Sequence, residues 1–337
     1  MTTLTSAIGD FFGSVRPTRR GAGIVFWSLS LAGLVTLFLS GCSKQPSSAE
    51  GAKPVTAKSR ALKIGVSFQE LDNPYFAVMK QALDDATKSI GAEMYVTDAR
   101  HDVTKQINDI EDLVQKGIDI LLVNPTDSVG IESAVRSANK AGVVVVAVDA
   151  QAQGPVDSFV GSKNYDAGLL AGEALAKSLG EHGNVAILDG IPVVPILERV
   201  RGFKDAIAKH PGLKLVDTQN GKQERSTALS VTENMIQSHP DLNGLFSVND
   251  GGALGALAAI EASGKNIALV SVDGLAEVVT AVVKGGPFKA TVAQFPRDQV
   301  RIALGIALAK RWGANVPKEV PIDVKLLTPD NAKGFSW

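Results

Sequence analysis

A single cysteine, Cys42, stands in 337 residues, so no disulfide can form within the chain and no cysteine-built zinc site is available. Aromatic residues are scarce at 5%, and basic and acidic side chains nearly cancel to a formal net charge of −1. That balance gives no global electrostatic reason to expect a nucleic-acid partner, which usually leaves a basic excess or patch. The four histidines, His101, His182, His210 and His239, are scattered, and none falls at metal-ligand spacing from another. The chain lacks a G-x-G-x-x-G loop after a strand, a G-x-x-x-x-G-K-[ST] loop and a G-x-S-x-G elbow. The common signatures of dinucleotide binding, phosphate cradling and serine hydrolysis are thus missing. No metal and no cofactor are expected, and the chain is not expected to be an enzyme.

What is present is an ordinary globular composition, with 45% apolar and 20% charged residues, and a length that suits two domains. Its 33 glycines suit many tight turns between strands and helices.

The first 41 residues read as an address. Arg16, Arg19 and Arg20 form a basic cluster, Gly21 to Leu39 carries no charge, and Leu39-Ser40-Gly41-Cys42 follows. A basic stretch, an apolar stretch and small residues make an export signal. A membrane-spanning anchor is the alternative, since the apolar stretch is nearly long enough to cross a bilayer. The lone cysteine after Leu-Ser-Gly resembles the lipobox of bacterial lipoproteins. That resemblance implies cleavage before Cys42 and a diacylglycerol on its thiol, with residues 1–41 as signal peptide. Residues 42–61 are rich in Ser, Pro, Gly, Ala and Lys and read as a flexible tether.

From Leu62 the pattern alternates. Leu62 to Ser67 reads as a buried strand. Asn73-Pro74 opens a helix, with Asn as N-cap and Pro in its first turn, and Phe76, Met79, Leu83, Ala86 and Ile90 mark one face. Strands are predicted at Glu93–Thr97, Ile118–Val123 and Val143–Val148, and helices at Thr104–Lys116 and Ser128–Ala141. A second run follows, with strands at Asn184–Leu188, Leu213–Val216, Gly244–Val248, Ile267–Val272 and Phe288–Ala293. Its helices carry Ile196, Val200, Phe203 and Ile207, then span Ser226–Ser238, Ala253–Ser263 and Leu275–Lys284. Near-continuous apolar strands alternating with amphipathic helices predict an α/β fold with parallel sheets covered on both faces. The intervals Asn124–Asp149 and Asn249–Asp273 are nearly equal, and both end on Val-Asp. One plan used twice predicts two similar doubly wound lobes with a cleft between them.

In open α/β sheets ligands bind beyond the carboxyl ends of the strands. Asn124, Asp149, Asn249, Asp273 and Gln294 each stand at such an end. Strand-end Asn and Asp also start turns and cap helices, so a structural role is the alternative for each. Together, amides and carboxylates suit a neutral polyhydroxyl ligand, because each hydroxyl both donates and accepts. Phe68, Tyr75 and Phe76 offer faces for the C–H side of a sugar ring, with a core role as the alternative for each. Arg199 can bridge two hydroxyls, with a solvated helix arginine as the alternative, a reading that fits Arg201 better.

The motifs Asn73-Pro74-Tyr75-Phe76, Leu121 to Asp127, Asn249-Asp250 with Ala253 to Leu257, Val272-Asp273-Gly274 and Ala290 to Gln294 resemble those of the type I periplasmic sugar-binding proteins of bacterial ABC importers, and among them the ribose-binding proteins. The resemblance covers about Leu62 to Leu327. It implies a monomeric receptor in the periplasm or cell envelope, with a monosaccharide or polyol as ligand and an ABC transporter permease as partner. It maps sugar contacts onto Asn73, Asn124, Asp149, Arg199, Asn249, Asp273 and Gln294. It also implies lobes of 62–162 plus 295–321 and 163–294 plus 322–332, hinged near Ser162, Gln294 and Pro321. Four positions depart from the family's ribose site. Ala150 replaces an arginine, Gln69 a small hydroxyl residue, and Gln223 and Val272 replace aromatics. With Gln69 and Gln223 kept as candidate contacts, these changes imply a sugar other than ribose, with stacking left to the first lobe. Two further roles fit the same residues: a sugar or autoinducer receptor feeding a membrane signalling protein, and a glycosidase built on Asp149 and Asp273.

Overall fold

In a computed structural model the described residues are 60–337. The export signal, Cys42 and nearly all of the tether lie outside them. The first run comprises β1 (Lys63–Phe68), α1 (Pro74–Ser89), β2 (Glu93–Asp98), α2 (Val103–Gln115), β3 (Ile120–Val123), α3 (Glu132–Lys140), β4 (Val144–Val148) and β5 (Ser158–Ser162). The second comprises α4 (Asn164–Ser178), β6 (His182–Asp189), α5 (Val194–Ile207), β7 (Gly212–Asn220), α6 (Arg225–Ser238), β8 (Leu242–Ser247), α7 (Asp250–Ser263), β9 (Ala268–Asp273), α8 (Ala276–Lys284) and β10 (Phe288–Ala293). Then come α9 (Pro296–Arg311), β11 (Glu319–Ile322) and β12 (Lys325–Leu327).

The strands form two sheets of one plan, β11-β5-β4-β3-β1-β2 and β12-β10-β9-β8-β6-β7. All pairings are parallel except β12 on β10. Each sheet has a buried apolar cluster on either face, which is why β3, β4 and β5 are buried along their whole length. The chain passes from the first sheet to the second after β5. It returns after β10 into α9, which packs on α1, β4 and β5, and crosses again between β11 and β12. No helix among the described residues is long and apolar enough to cross a membrane.

Local chemistry sets the boundaries. Asn73 caps α1 by accepting from the Tyr75 N–H at 3.0 Å, and Pro74 begins the helix. Ile90, expected on the buried face, is instead the exposed C-cap, because the chain turns at Gly91 with φ +65°. Helix α3 starts at Glu132 rather than Ser128. Asp127 Oδ1 accepts from the N–H groups of both Val129 and Gly130 at 2.8 Å, which holds that stretch as a turn.

Helix α4 was not foreseen, for a physical reason. Its buried face is Ala167, Gly168, Ala171, Gly172, Leu175 and Ala176, so large apolar residues do not mark its period. The small face lets α4 meet α5 backbone to backbone. A Cβ on Gly168 would lie 1.9 Å from the Arg199 carbonyl oxygen, and one on Gly202 2.1 Å from that of Tyr165. This contact fixes the helix that carries Arg199.

Candidate functional site

The carboxyl ends of both sheets face each other across the cleft. Gln69, Asn73, Tyr75, Phe76, Asp149 and Ala150 line a cavity from the first lobe. Val193, Pro195, Ile196, Arg199, Gln223, Asn249, Asp273 and Gln294 line it from the second. The cavity among these side chains is small, about 20 Å³. The lining side chains Gln69, Arg199, Asn249, Asp273 and Gln294 are each buried, so the cavity is narrow.

Two aspartates, one per lobe, anchor the site. Both sit at positive φ, +65° at Asp149 and +139° at Asp273, where a side-chain-bearing residue is strained. At Asp149 the Ala150 N–H donates back to the Val148 carbonyl at 2.8 Å, a three-residue turn that aims the carboxylate out of the strand line. A directed chain of hydrogen bonds converges on it. Gln299 Nε2 donates to the Tyr75 hydroxyl at 2.9 Å, the Tyr75 O–H donates to Asp149 Oδ1 at 3.1 Å, and Asn124 Nδ2 donates to Asp149 Oδ2 at 3.2 Å. Burial of the phenol and the nearby Asp149 charge push Tyr75 well up, so it stays protonated and donates. Burial pushes Asp149 itself up to about 6, opposed mainly by the charge of Arg199 and the Tyr75 hydrogen bond.

Asp273 Oδ1 accepts from Gln294 Nε2 at 2.8 Å and lies 3.5 Å from Arg199 Nη1, and its Oδ2 accepts from the Asp250 N–H at 3.1 Å. Its burial raises it and Arg199 opposes the rise. Arg199 is 4% exposed, donating through Nε to Asn164 Oδ1 and through Nη1 to the Val248 carbonyl, both at 2.8 Å. Its neighbour Arg201 is exposed, paired with Glu198 and stacked over Tyr165.

Not every strand-end residue reaches the cavity. Asn124 is fully buried behind Asp149, with Oδ1 accepting from the Gln69 N–H at 3.3 Å, so it positions that carboxylate instead of forming wall. Asn73 and Asn249 line the cavity and also cap α1 and α7, so the capping role and the cavity role coincide. Phe68 is a correction. It lies wholly in the core of the first lobe, its ring 6.2 Å from Phe76, and offers no face to a ligand. Val272 also packs into the core beneath β9, so the residue type there does not alter the cavity wall directly.

Several contributors escaped sequence reading. Val193, Pro195 and Ile196 supply an apolar wall from the second lobe, where none was expected. Asp250, the second residue of the Asn-Asp motif, is a buried hub. It accepts from the Thr291 hydroxyl at 2.8 Å, the Gly274 and Leu275 N–H groups at 2.8 and 2.7 Å, and the Ser271 hydroxyl. Burial and the Asp273 charge push it up to about 8 against the Ser271, Leu275 and Thr291 hydrogen bonds. It ties together the ends of β9 and β10. At the cleft mouth His101 Nε2 pairs with Glu70 Oε2 at 3.0 Å, and Asp72 is close by. The Glu70 hydrogen bond raises His101.

The donor and acceptor inventory is unbalanced. Gln69 is 4% and Gln294 1% exposed, and the Oε1 atom of each is buried without a hydrogen-bond partner. With the two carboxylates, the cavity presents acceptors that a ligand rich in O–H groups would satisfy.

Comparison with known proteins agrees with this geometry. Residues 64–313 match the family model described as a periplasmic binding protein domain. The ribose import binding protein RbsB of Bacillus subtilis is 38% identical over 298 residues, covering 88% of this chain and 96% of its own. The xylitol-binding protein of Mycolicibacterium smegmatis is 27% identical over 312 residues, covering 90% of this chain and 85% of its own. Among solved structures, an ABC transporter solute-binding protein from Mycobacterium smegmatis with bound glycerol superposes with a TM-score of 0.78 at 32% identity, covering 81% of this chain and 96% of that one. With two like α/β lobes, a shared cleft and a match over most of its length, this chain belongs to the periplasmic binding protein family.

Proposed function

We propose that this protein is the lipid-anchored substrate-binding component of a bacterial sugar importer, closing its lobes on a monosaccharide or a related polyol and delivering it to an ABC permease. The observation that carries this reading is the cavity shared by both lobes, lined by Asp149, Asp273 and by Gln69 and Gln294, whose buried amide oxygens have no partner. Hydroxyl groups satisfy such acceptors, and charge-assisted bonds to the aspartates supply much of the affinity. Tyr75, Phe76, Val193, Pro195 and Ile196 accept the C–H face of a ring. The names of the relatives support the ligand class. Two are ribose- and xylitol-binding proteins, and a solved relative from Actinobacillus succinogenes holds D-allose.

Closure follows from contacts that only the closed form makes with the ligand from both sides. Ala150, a wall residue, carries a short side chain where the resemblance implies an arginine in ribose sites. The preferred ligand is accordingly another aldose, a deoxysugar or a sugar alcohol, with ribose at least ~30-fold weaker than the best, or ~2 kcal/mol. A thermal-shift screen of pentoses, hexoses, deoxysugars and polyols, followed by calorimetry, tests this, since a ligand stabilises according to its saturation. Ribose as the tightest ligand refutes the preference alone. No binder in the panel refutes the sugar reading. The anchor is tested separately, by mass spectrometry of the native N-terminus. An acylated Cys42 supports it, and an unmodified Cys42 or another N-terminus overturns it.

A further inference from the structure

The segment after β12 runs along the second lobe and ends on the first. Asn331 Nδ2 donates to the Leu326 carbonyl at 3.1 Å, and the Thr328 N–H donates to Asn331 Oδ1 at 2.8 Å, which folds residues 328–331 into a turn. Ala332 is then fully buried in the core of the second lobe. Phe335 meets Phe295 edge to face, 6.3 Å between ring centres, and covers Gly274, where an added Cβ would lie 3.1 Å from its ring. Ala332 and Phe335 thus seat this segment beside the strand end that carries Asp273, with Phe335 also meeting Phe295 where the chain crosses back into α9.

Trp337 reaches further. Its indole N–H donates to the Asp273 carbonyl oxygen at 3.1 Å, while its ring stands edge to face against Tyr75 of α1, 5.8 Å between centres at 85°. It packs against the apolar clusters of both lobes and lines the large groove at the cleft mouth together with Asn73 and Leu275. Both partners are cavity residues. The Asp273 carbonyl also accepts from the Gln294 N–H at 2.9 Å, so Trp337 supplies a second bond to a strained residue at φ +139°. Tyr75 is the residue whose hydroxyl donates to Asp149. One indole therefore touches the supports of both aspartates, and parting the lobes must break one of its two contacts.

We propose that residues 328–337 form a latch across the cleft, in which Trp337 is a positioning residue that holds the lobes closed and slows ligand release. The proposal rests on the sugar-receptor reading for its ligand, but its interlobe contact stands without one. An aromatic pair and a hydrogen bond lost together predict a Kd raised on the order of 10-fold for Trp337→Ala. The change should fall on koff, because the latch acts after closure. Trp337→Phe keeps a ring and loses the N–H, and should fall between.

The experiment has two arms. Calorimetry and stopped-flow binding use the tightest sugar of the panel, with intrinsic fluorescence as a signature of position. Trp312 is 79% exposed on the end of α9, so a ligand-induced change should survive Trp312→Phe and vanish in Trp337→Phe. Small-angle scattering of the unliganded protein is the second arm, and Trp337→Ala should enlarge the radius of gyration. Sugar binding with unchanged Kd, koff and scattering in Trp337→Ala overturns the latch and leaves the receptor reading intact. If no sugar binds the wild type, the receptor reading falls and scattering alone decides. A larger unliganded Trp337→Ala supports the latch, and an unchanged one overturns it.

Discussion

Asp149 gives the site two pH dependences of opposite sign. Its burial places its ionisation at about 6, well above the usual carboxylate range, with Arg199, Tyr75, Asp273 and Asn124 as the groups that face it. On the proposed reading sugar hydroxyls would donate to the ionised carboxylate, so binding is expected to favour loss of the proton. If only the ionised form binds, Kd rises roughly 10-fold between pH 7.5 and pH 5. Stability of the unliganded protein runs the other way. Its folded pKa lies above the unfolded one, so the folded state holds the proton longer. The stability this gives is full below about pH 4 and is lost as pH rises through 6, up to ~3 kcal/mol from this residue. Calorimetric titrations at several pH values, with denaturant melts on the same samples, measure both. Asp149→Asn should bind weakly and lose the midpoint near 6 in both profiles. Tyr75→Phe removes a donor to the ionised form and should move the binding midpoint upward. A wild-type Kd that agrees within twofold at pH 5 and 7.5 refutes the reasoning, because the carboxylate would then not contact the ligand in its charged form.

Asp273→Ala should weaken sugar binding by ~2–4 kcal/mol, through lost charge-assisted bonds and unpaired ligand hydroxyls, and calorimetry reads it directly. Arg199→Ala should act alike, whereas Arg201→Ala, at an exposed side chain, should leave affinity unchanged. Equal effects of the two arginine variants would remove Arg199 from the site. Gly168→Ala drives a Cβ into the Arg199 backbone carbonyl and should cost ~1–3 kcal/mol in a thermal melt and weaken binding by shifting α5. Gly305→Ala, at an exposed position of α9 where a Cβ meets nothing within 4 Å, should instead stabilise by ~0.5–1 kcal/mol.

The architecture was legible where burial is carried by large side chains. The predicted strand Phe288–Ala293 is β10 residue for residue, and the run Ile196, Val200, Phe203, Ile207 is the buried face of α5. Legibility failed where small residues do the packing. The contact face of α4 is Ala and Gly, and that face is chosen by the approach of α5, which no local period announces. Site depth was similarly hidden. Strand ends locate Asn124 and Asp149 together, but only the fold places one behind the other. Strand alternation turned Val272 toward the core and Asp273 toward the cavity. Trp337 meets Tyr75 and Asp273 across very long chain separations, and three such residues carry no shared signal in sequence.

Arg60, the first described residue, is held to Asp119 through two hydrogen bonds of 3.0 and 2.7 Å, and Arg311 grips the same carboxylate at 3.2 Å. The Lys63 N–H adds a fourth bond at 3.0 Å. Asp119 sits just before β3, at the amino end of a central strand, opposite the strand ends that form the site. If the preceding chain is anchored as proposed, a pull arriving through Arg60 would fall first on this four-bond cluster in the first lobe. Under that proposal the first lobe would serve as the fixed jamb and the second as the door.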